Sequence, residues 1–255
     1  MSPPRIRIGI SACLLGQQVR YDGGHKRDAW IADGLGRLVE FVPVCPEVEA
    51  GLGVPRPPIR LVDAGGGAVR LVEPASGRDL TARMRRFAER RVRALADEDL
   101  CGFVLKARSP SCGPARVEVR GPRGGRPRLA GRGLFAEALL RRHPLLPVEE
   151  EGGLADPARR AHFLLRVHAF RRVRDLFRGR WTAAGLAAFH AREELLLLAH
   201  APAARASLGR LVARAGRLPR ARVAREYAAA FLAALARPPT GPPPGIPVDG
   251  GADPR

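Results

Sequence analysis

Three of the four cysteines, Cys13, Cys45 and Cys112, each lie at or just past the C-terminal end of an apolar run that reads as a buried strand. In an open parallel sheet such ends share one edge, and ligands bind along it. Residues distant in sequence can therefore meet there. No pair is spaced C-x-x-C, which excludes a zinc ribbon and a thioredoxin-type motif. Three thiolates at one point are too few to close a four-iron cluster. One iron would lack a protein ligand and act as a Lewis acid toward a substrate. Two other uses of the same residues stay open: a structural metal in a non-catalytic RNA-binding protein, and a sulfur carrier with Cys112 as a persulfide nucleophile. Cys101 lies outside these contexts. It reads as a small buried hydrophobe at the end of a long helix.

The residues around the three cysteines form distinctive motifs. Ser11-Ala12-Cys13-Leu14-Leu15-Gly16 is followed by Val19-Arg20-Tyr21-Asp22-Gly23. Cys45-Pro46-Glu47-Val48-Glu49 precedes Gly51-Leu52-Gly53-Val54-Pro55-Arg56, and the third motif is Lys106-Ala107-Arg108-Ser109-Pro110-Ser111-Cys112-Gly113. Together, in this order, they resemble the thiouracil desulfurase family over roughly residues 5–152. The resemblance implies that Cys13, Cys45 and Cys112 hold a [4Fe-4S] cluster. It also implies that Glu47 is the acid/base carboxylate and that Ser109 positions or activates the substrate. The fourth iron would take the sulfur of a thiocarbonyl, a soft ligand that prefers iron to a hard cation. Water would then attack the adjacent ring carbon, with Glu47 moving the proton. Such hydrolysis needs no net electron transfer, so no nicotinamide or flavin is expected, and no G-x-G-x-x-G or Walker sequence is present. Arg20, Asp22, Lys26, Arg56, Lys106 and Arg108 sit in the motif loops, where they bind substrate or a phosphate, or brace the loops. Glu49 reads as a solvated or salt-bridged neighbour.

The elements that must position these residues emerge from hydrophobic periodicity. Strands are expected at residues 5–11, 39–44, 102–106 and 145–148, and a hairpin at 59–62 and 68–72 around Gly65-Gly66-Gly67. Helices are expected at 28–38, at 79–100 with Asp79 as N-cap, and at 134–141. Strand–helix alternation predicts an α/β fold: a Rossmann-like domain with one largely parallel sheet over residues 1–152. An all-helical accessory domain over 153–236 comes next, with helices at 156–177, 182–199, 202–215 and 219–236. Residues 237–255, rich in Pro and Gly, read as a disordered tail.

Residues 158–227 resemble a helical domain of uncharacterised type found fused behind this desulfidase, as in RudS-type proteins that act on 4-thiouridine in transfer RNA. The residues carrying this likeness include Gly185-Leu186, Phe189-His190 and Leu208-Gly209-Arg210-Leu211-Val212. Glu194 departs from it, standing where a lysine is usual. His190 and His200 read as packed or solvated residues, with RNA contact as the alternative. Arginines crowd residues 159–180, and cations of this kind hold phosphates.

The net charge is +19, and Lys26 and Lys106 are the only lysines. A polyanion partner and the arginine bias of a GC-rich genome account for that charge equally well. The substrate expected is thiolated uracil, as 4-thiouridine in transfer RNA, with the free base or a nucleotide as the alternative. No apolar run is long enough to span a bilayer, so a cytoplasmic location is expected, with no membrane and no protein partner.

Overall fold

The computed structural model describes residues 5–121 and 126–239, so the expected tail lies, from residue 240 on, outside the described residues. In chain order the first elements are β1 (Ile6–Ser11), β2 (Val39–Val44), α1 (Pro46–Glu49), β3 (Arg60–Gly65), β4 (Ala68–Val72) and α2 (Thr81–Ala94). Next come β5 (Leu100–Leu105), β6 (Val117–Arg120), β7 (Arg128–Gly131), α3 (Leu134–Arg142), β8 (Val148–Glu150) and α4 (Glu151–Leu154). Helices α5 (Pro157–Arg178), α6 (Ala183–Arg192), α7 (Glu194–His200), α8 (Pro202–Ala213) and α9 (Arg220–Ala234) complete the described chain.

One sheet is parallel throughout, in the order β2-β1-β5-β8. Of its central strands, β5 carries the continuous apolar run that a strand covered on both faces requires. Ile8 and Ile10 of β1 are fully buried, as is every residue of β5. The chain passes from β1 outward to β2 and returns on the other side of β1 as β5. That reversal opens a crevice at the carboxyl ends of the two central strands. Gly9 keeps β1 and β5 closely packed, because a Cβ there would lie 2.2 Å from the Phe103 ring.

The mixed α/β character, the parallel sheet and the helical C-terminal part agree with the sequence reading. Several details differ, among them the strand expected at 145–148, which runs instead over Val148–Glu150. A second sheet, β4-β3-β6-β7, stands beside the first, mostly antiparallel with one parallel pair, β3 with β6. The β3–β4 hairpin is the expected one, whereas β6 and β7 are only four residues each, too short for a period to stand out. Second, helix α2 stops at Ala94 and a 3-10 turn runs from Leu95 to Glu98. Asp99 then adopts φ 54°, a left-handed conformation that aspartate tolerates. Leu100 and Cys101, buried, therefore belong to β5 and not to the helix. Leu80 occupies the N-cap, and the Asp79 carboxylate accepts the Thr81 N–H at 2.8 Å. Third, residues 28–38 form a wide π turn (Trp30–Gly34) followed by a 3-10 turn (Leu35–Arg37), since Gly34 and Gly36 give a regular helix little support.

The chain divides into two compact units between Val167 and His168, inside α5 and later than residue 152. The first turns of α5 pack in the first unit: a Cβ at Gly102 of β5 would lie 2.8 Å from Val167 and 3.3 Å from Phe163. In the second unit, the expected helix 182–199 is two helices broken at Glu193, which is buried and paired with Arg172. Thr182 caps α6 by accepting the Gly185 N–H at 3.0 Å. Tyr227 is fully buried among Phe177, Phe189 and Phe231, and its hydroxyl lies 3.0 Å from His190 Nδ1. Both histidines of interest, His190 and His200, are thus packed into this unit.

Replacing Gly9 by alanine forces β1 and β5 apart. The variant Gly9→Ala should lose about 1–3 kcal/mol, the usual cost of overpacking. Thermal unfolding measures it, and an unchanged melting temperature would show that Phe103 can yield.

Candidate active site

Each motif begins where a strand of the parallel sheet ends. After β1 the chain turns through a 3-10 segment, Ala12–Leu15, closed by Gly16 at φ 91°. This turn buries Cys13, whose carbonyl accepts the Lys26 N–H at 2.9 Å and so ties the following loop back. After β2, Cys45 is the N-cap residue of the short helix α1, with Pro46 next. Glu49 accepts the Cys45 N–H at 2.9 Å and pairs with Arg91 of α2 at 3.0 Å. Arg83 of α2 holds the other end of α1, donating to Ala50 O at 2.7 Å and Gly51 O at 2.8 Å.

The third motif is fastened most tightly. Ser109 Oγ accepts the N–H of Ser111 at 3.2 Å and of Cys112 at 3.0 Å, closing a turn. The first N–H groups of α3, which have no partner inside the helix, point into this loop. Gly133 donates to Gly113 O at 2.8 Å, Leu134 to Pro110 O at 3.2 Å and Phe135 to Ser111 O at 3.0 Å. Only glycine fits at 133, since a Cβ would stand 2.5 Å from the Ser111 backbone.

The three loops enclose a cavity of about 340 Å³, within the roughly 300–1,000 Å³ usual for small-molecule sites. Cys13, Cys45 and Cys112 line it together with Glu47 and Ser109, as the sequence reading requires. Arg20, Lys26, Arg56, Lys106 and Arg108 line it too. Asp22 does not: its carboxylate pairs with Arg20 at 3.4 Å and accepts the Gly24 N–H at 3.0 Å, so it acts on the cavity only through Arg20. Cys101 lies within β5, away from the cavity lining. Among the described residues, no three Cys, His, Asp or Glu side chains converge as ligands of a single metal ion.

Burial pushes the Cys13 thiol up to about 11; negative charge at Cys45 adds to this, and Lys106 and Arg20 oppose it. Cys45 is raised as well, again chiefly by burial. Cys112 is raised furthest. Its sulfur is wholly buried and faces Glu47, Cys45 and Cys13, with only a hydrogen bond from Ser11 in relief. The thiols are therefore neutral at ordinary pH and lose their protons to a bound cation.

Glu47 is clamped from two sides. Arg56 Nε and Nη2 donate to Oε2 at 2.9 and 2.7 Å, and Ser111 Oγ donates to Oε1 at 2.9 Å. Arg56 is itself used up inside the protein, its side chain 4% exposed, with further bonds to Gly53 O at 2.7 Å and Val19 O at 2.9 Å. It braces the loops. Lys106 pairs with Glu151 of α4, which also accepts the Ala107 N–H at 2.6 Å. Sequence reasoning missed Ser11, Ser111 and Glu151. The two serines lie inside the quoted motifs, whereas Glu151 is the last of three consecutive glutamates and gives no local signal.

A parallel-sheet α/β protein with a thiol-lined crevice at the carboxyl edge is the class that this geometry defines. Residues 8–151, more than half of the chain, match the family model of 2-thiouracil desulfurase, and the chain belongs to that family. Residues 194–242 match a second model, a protein of unknown function, DUF1722. The uncharacterised protein YbbK of Bacillus subtilis (strain 168) is 31% identical over 114 residues, 42% of this chain and 72% of YbbK. The solved structure of TudS, a [4Fe-4S]-dependent thiouracil desulfidase, is 38% identical, with a TM-score of 0.48; the match covers 59% of this chain and 94% of that one.

Metal uptake should report the thiols directly. Their raised pKa values mean that each ligand formed releases a proton. The apparent affinity of the metal-free protein for Fe²⁺ should therefore climb as pH rises, toward about 11 for Cys13. Anaerobic titrations at several pH values measure it, and a flat profile would show that these sulfurs are not the ligands.

Proposed function

We propose that the chain is a [4Fe-4S]-dependent, non-redox desulfidase that hydrolytically removes sulfur from a thiolated uracil, preferentially 4-thiouridine in transfer RNA. The observation that carries the reading is the meeting of Cys13, Cys45 and Cys112 with Glu47 and Ser109 around one cavity, in a chain of the 2-thiouracil desulfurase family.

The donor set fits the cluster. Three soft thiols line a shared cavity, a donor type that suits an iron–sulfur centre. Cys13, Cys45 and Cys112 would hold it. When bound, the cluster supplies an iron without a protein ligand, a soft Lewis acid for the thiocarbonyl sulfur.

The protein's own groups do the rest. Glu47, held by Arg56 and Ser111, takes a proton from the attacking water and returns it to the ring nitrogen. Ser109 uses its oxygen on two backbone N–H groups, and its own proton serves the substrate. Lys106, steered by Glu151, lies on the cavity wall with Arg20, Lys26 and Arg108 and binds the uracil oxygens or a phosphate. Val44, Pro58 and Ile59 are among the apolar residues of the lining and limit water there. The free cysteines fit a reducing, cytoplasmic setting. No helix among the described residues is long and apolar enough to cross a membrane.

Support for transfer RNA comes from the second family match at residues 194–242 and from the +19 charge. A specific observation favours the second reading, a free thiouracil or thiouridine nucleotide. Several arginines of the 159–180 run are committed elsewhere: Arg159 to Glu149, Arg172 to the buried Glu193, and Arg171 and Arg174 to Asp175. Arg172 in particular is a structural brace and not a phosphate ligand.

Two measurements test this. Anaerobically reconstituted protein should carry close to four irons and release sulfide from thiouracil, a result that zinc or a colourless protein would contradict. Cys13→Ala, Cys45→Ala and Cys112→Ala should each lose the cluster, and Cys101→Ala should keep it. Glu47→Ala should keep it and lose about 10²–10⁴ in rate. For the substrate, kcat/KM on thiolated transfer RNA should fall steeply with salt, as phosphate contacts require, while kcat/KM on thiouracil stays level. Equal salt dependence for both would move the assignment to a small-molecule desulfidase.

A further inference from the structure

Ser111 is distinct from Ser109, the hydroxyl assigned to the substrate. It is absent from the cavity wall and is 0% exposed. A buried hydroxyl of this kind needs a partner, and Ser111 finds it in the carboxylate of Glu47, donating to Oε1 at 2.9 Å. The contact joins two loops 64 positions apart in the chain. Glu47 is two residues past Cys45, and Ser111 directly precedes Cys112.

The hydroxyl cannot drift. The Ser111 carbonyl accepts the N–H of Phe135 at 3.0 Å and of Ala136 at 3.3 Å, and its own N–H donates to Ser109 Oγ at 3.2 Å. Gly133 stands against the same backbone. Helix α3 therefore fixes Ser111, and Ser111 fixes one oxygen of Glu47. The other oxygen, Oε2, receives both Arg56 donors. With Oε2 held by a guanidinium that cannot release a proton, proton transfer is confined to Oε1, the oxygen that Ser111 aims.

We propose that Ser111 is a positioning residue for the reaction, holding Glu47 Oε1 in the orientation from which it exchanges protons with water and substrate. The proposal rests on the reading of Glu47 as the acid/base group. Ser111 does not line the cavity and so acts through Glu47. Its hydroxyl accepts a hydrogen bond as readily as it donates one, so the contact survives when Oε1 carries the proton and Ser111 reverses its role.

The test compares Ser111→Ala and Ser111→Thr with the parent, each reconstituted, with iron content, melting temperature, KM and kcat measured on thiouracil. In Ser111→Ala, iron and KM should stay at parental values while kcat drops about 10²-fold, the scale expected for a misplaced catalytic group. Ser111→Thr keeps the hydroxyl and should restore kcat. Parental kcat in Ser111→Ala, or a loss that tracks iron content and is not rescued by threonine, would overturn the proposal.

A second measurement stands whether or not the parent turns over. Ser111→Ala and Glu47→Gln, alone and combined, form a double-mutant cycle read by denaturant unfolding of the full chain. Non-additive stabilities show the coupling, and additive ones refute it. A parent without desulfidase activity but with coupled residues would defeat the functional reading and the catalytic role of the clamp, while leaving the contact established.

Discussion

A single buried guanidinium binds the first two motifs to each other. Arg56 reaches Val19 in the loop after Cys13, Gly53 in its own loop, and Glu47 beyond Cys45. It does so in a place where an unpaired charge would be costly, because its side chain is almost wholly shut off from solvent. The Glu47 carboxylate makes Arg56 tolerable there, and Arg56 does the same for Glu47. The third motif joins through Ser111, which donates to the same carboxylate. Glu47 and the loops that carry the sulfurs are thereby set by one hydrogen-bonded unit.

That unit sits at the carboxyl edge of a parallel sheet, and the sheet explains why the loops meet. The strands β1, β2 and β5 are neighbours running in one direction, so the loop leaving each strand emerges on the same side. The thiols there are desolvated and held in their neutral form. Neutral thiols of this kind are poor nucleophiles, since the thiolate is the reactive form.

Net charge alone does not identify a partner. A charge of +19 invites a nucleic-acid reading, yet the arginines of α5 are largely bound to carboxylates within the fold. Arg172 explains the break between α6 and α7: it draws Glu193 inward and buries it where the apolar pattern alone reads as one continuous helix. A count of cations cannot separate such braces from residues that face solvent.

The amino-acid sequence by itself determined β1, β2 and β5, because their apolar runs are local and strong. It determined the β3–β4 hairpin through its glycines, and it marked Cys13, Cys45, Cys112, Glu47 and Ser109 through their motifs. It left β6 and β7 unread, since each is only four residues long and β6 is held by pairing with β3, remote in sequence. It misplaced Leu100 and Cys101, where helix and strand meet at Asp99 and periodicity cannot arbitrate. Only the tertiary structure decided that Ser111 belongs to Glu47, that Glu151 belongs to Lys106, and that Arg56 and Arg172 are braces. Those assignments depend on hydrogen bonds between side chains far apart in the chain, and no local pattern of residues encodes which partner a buried polar group will meet.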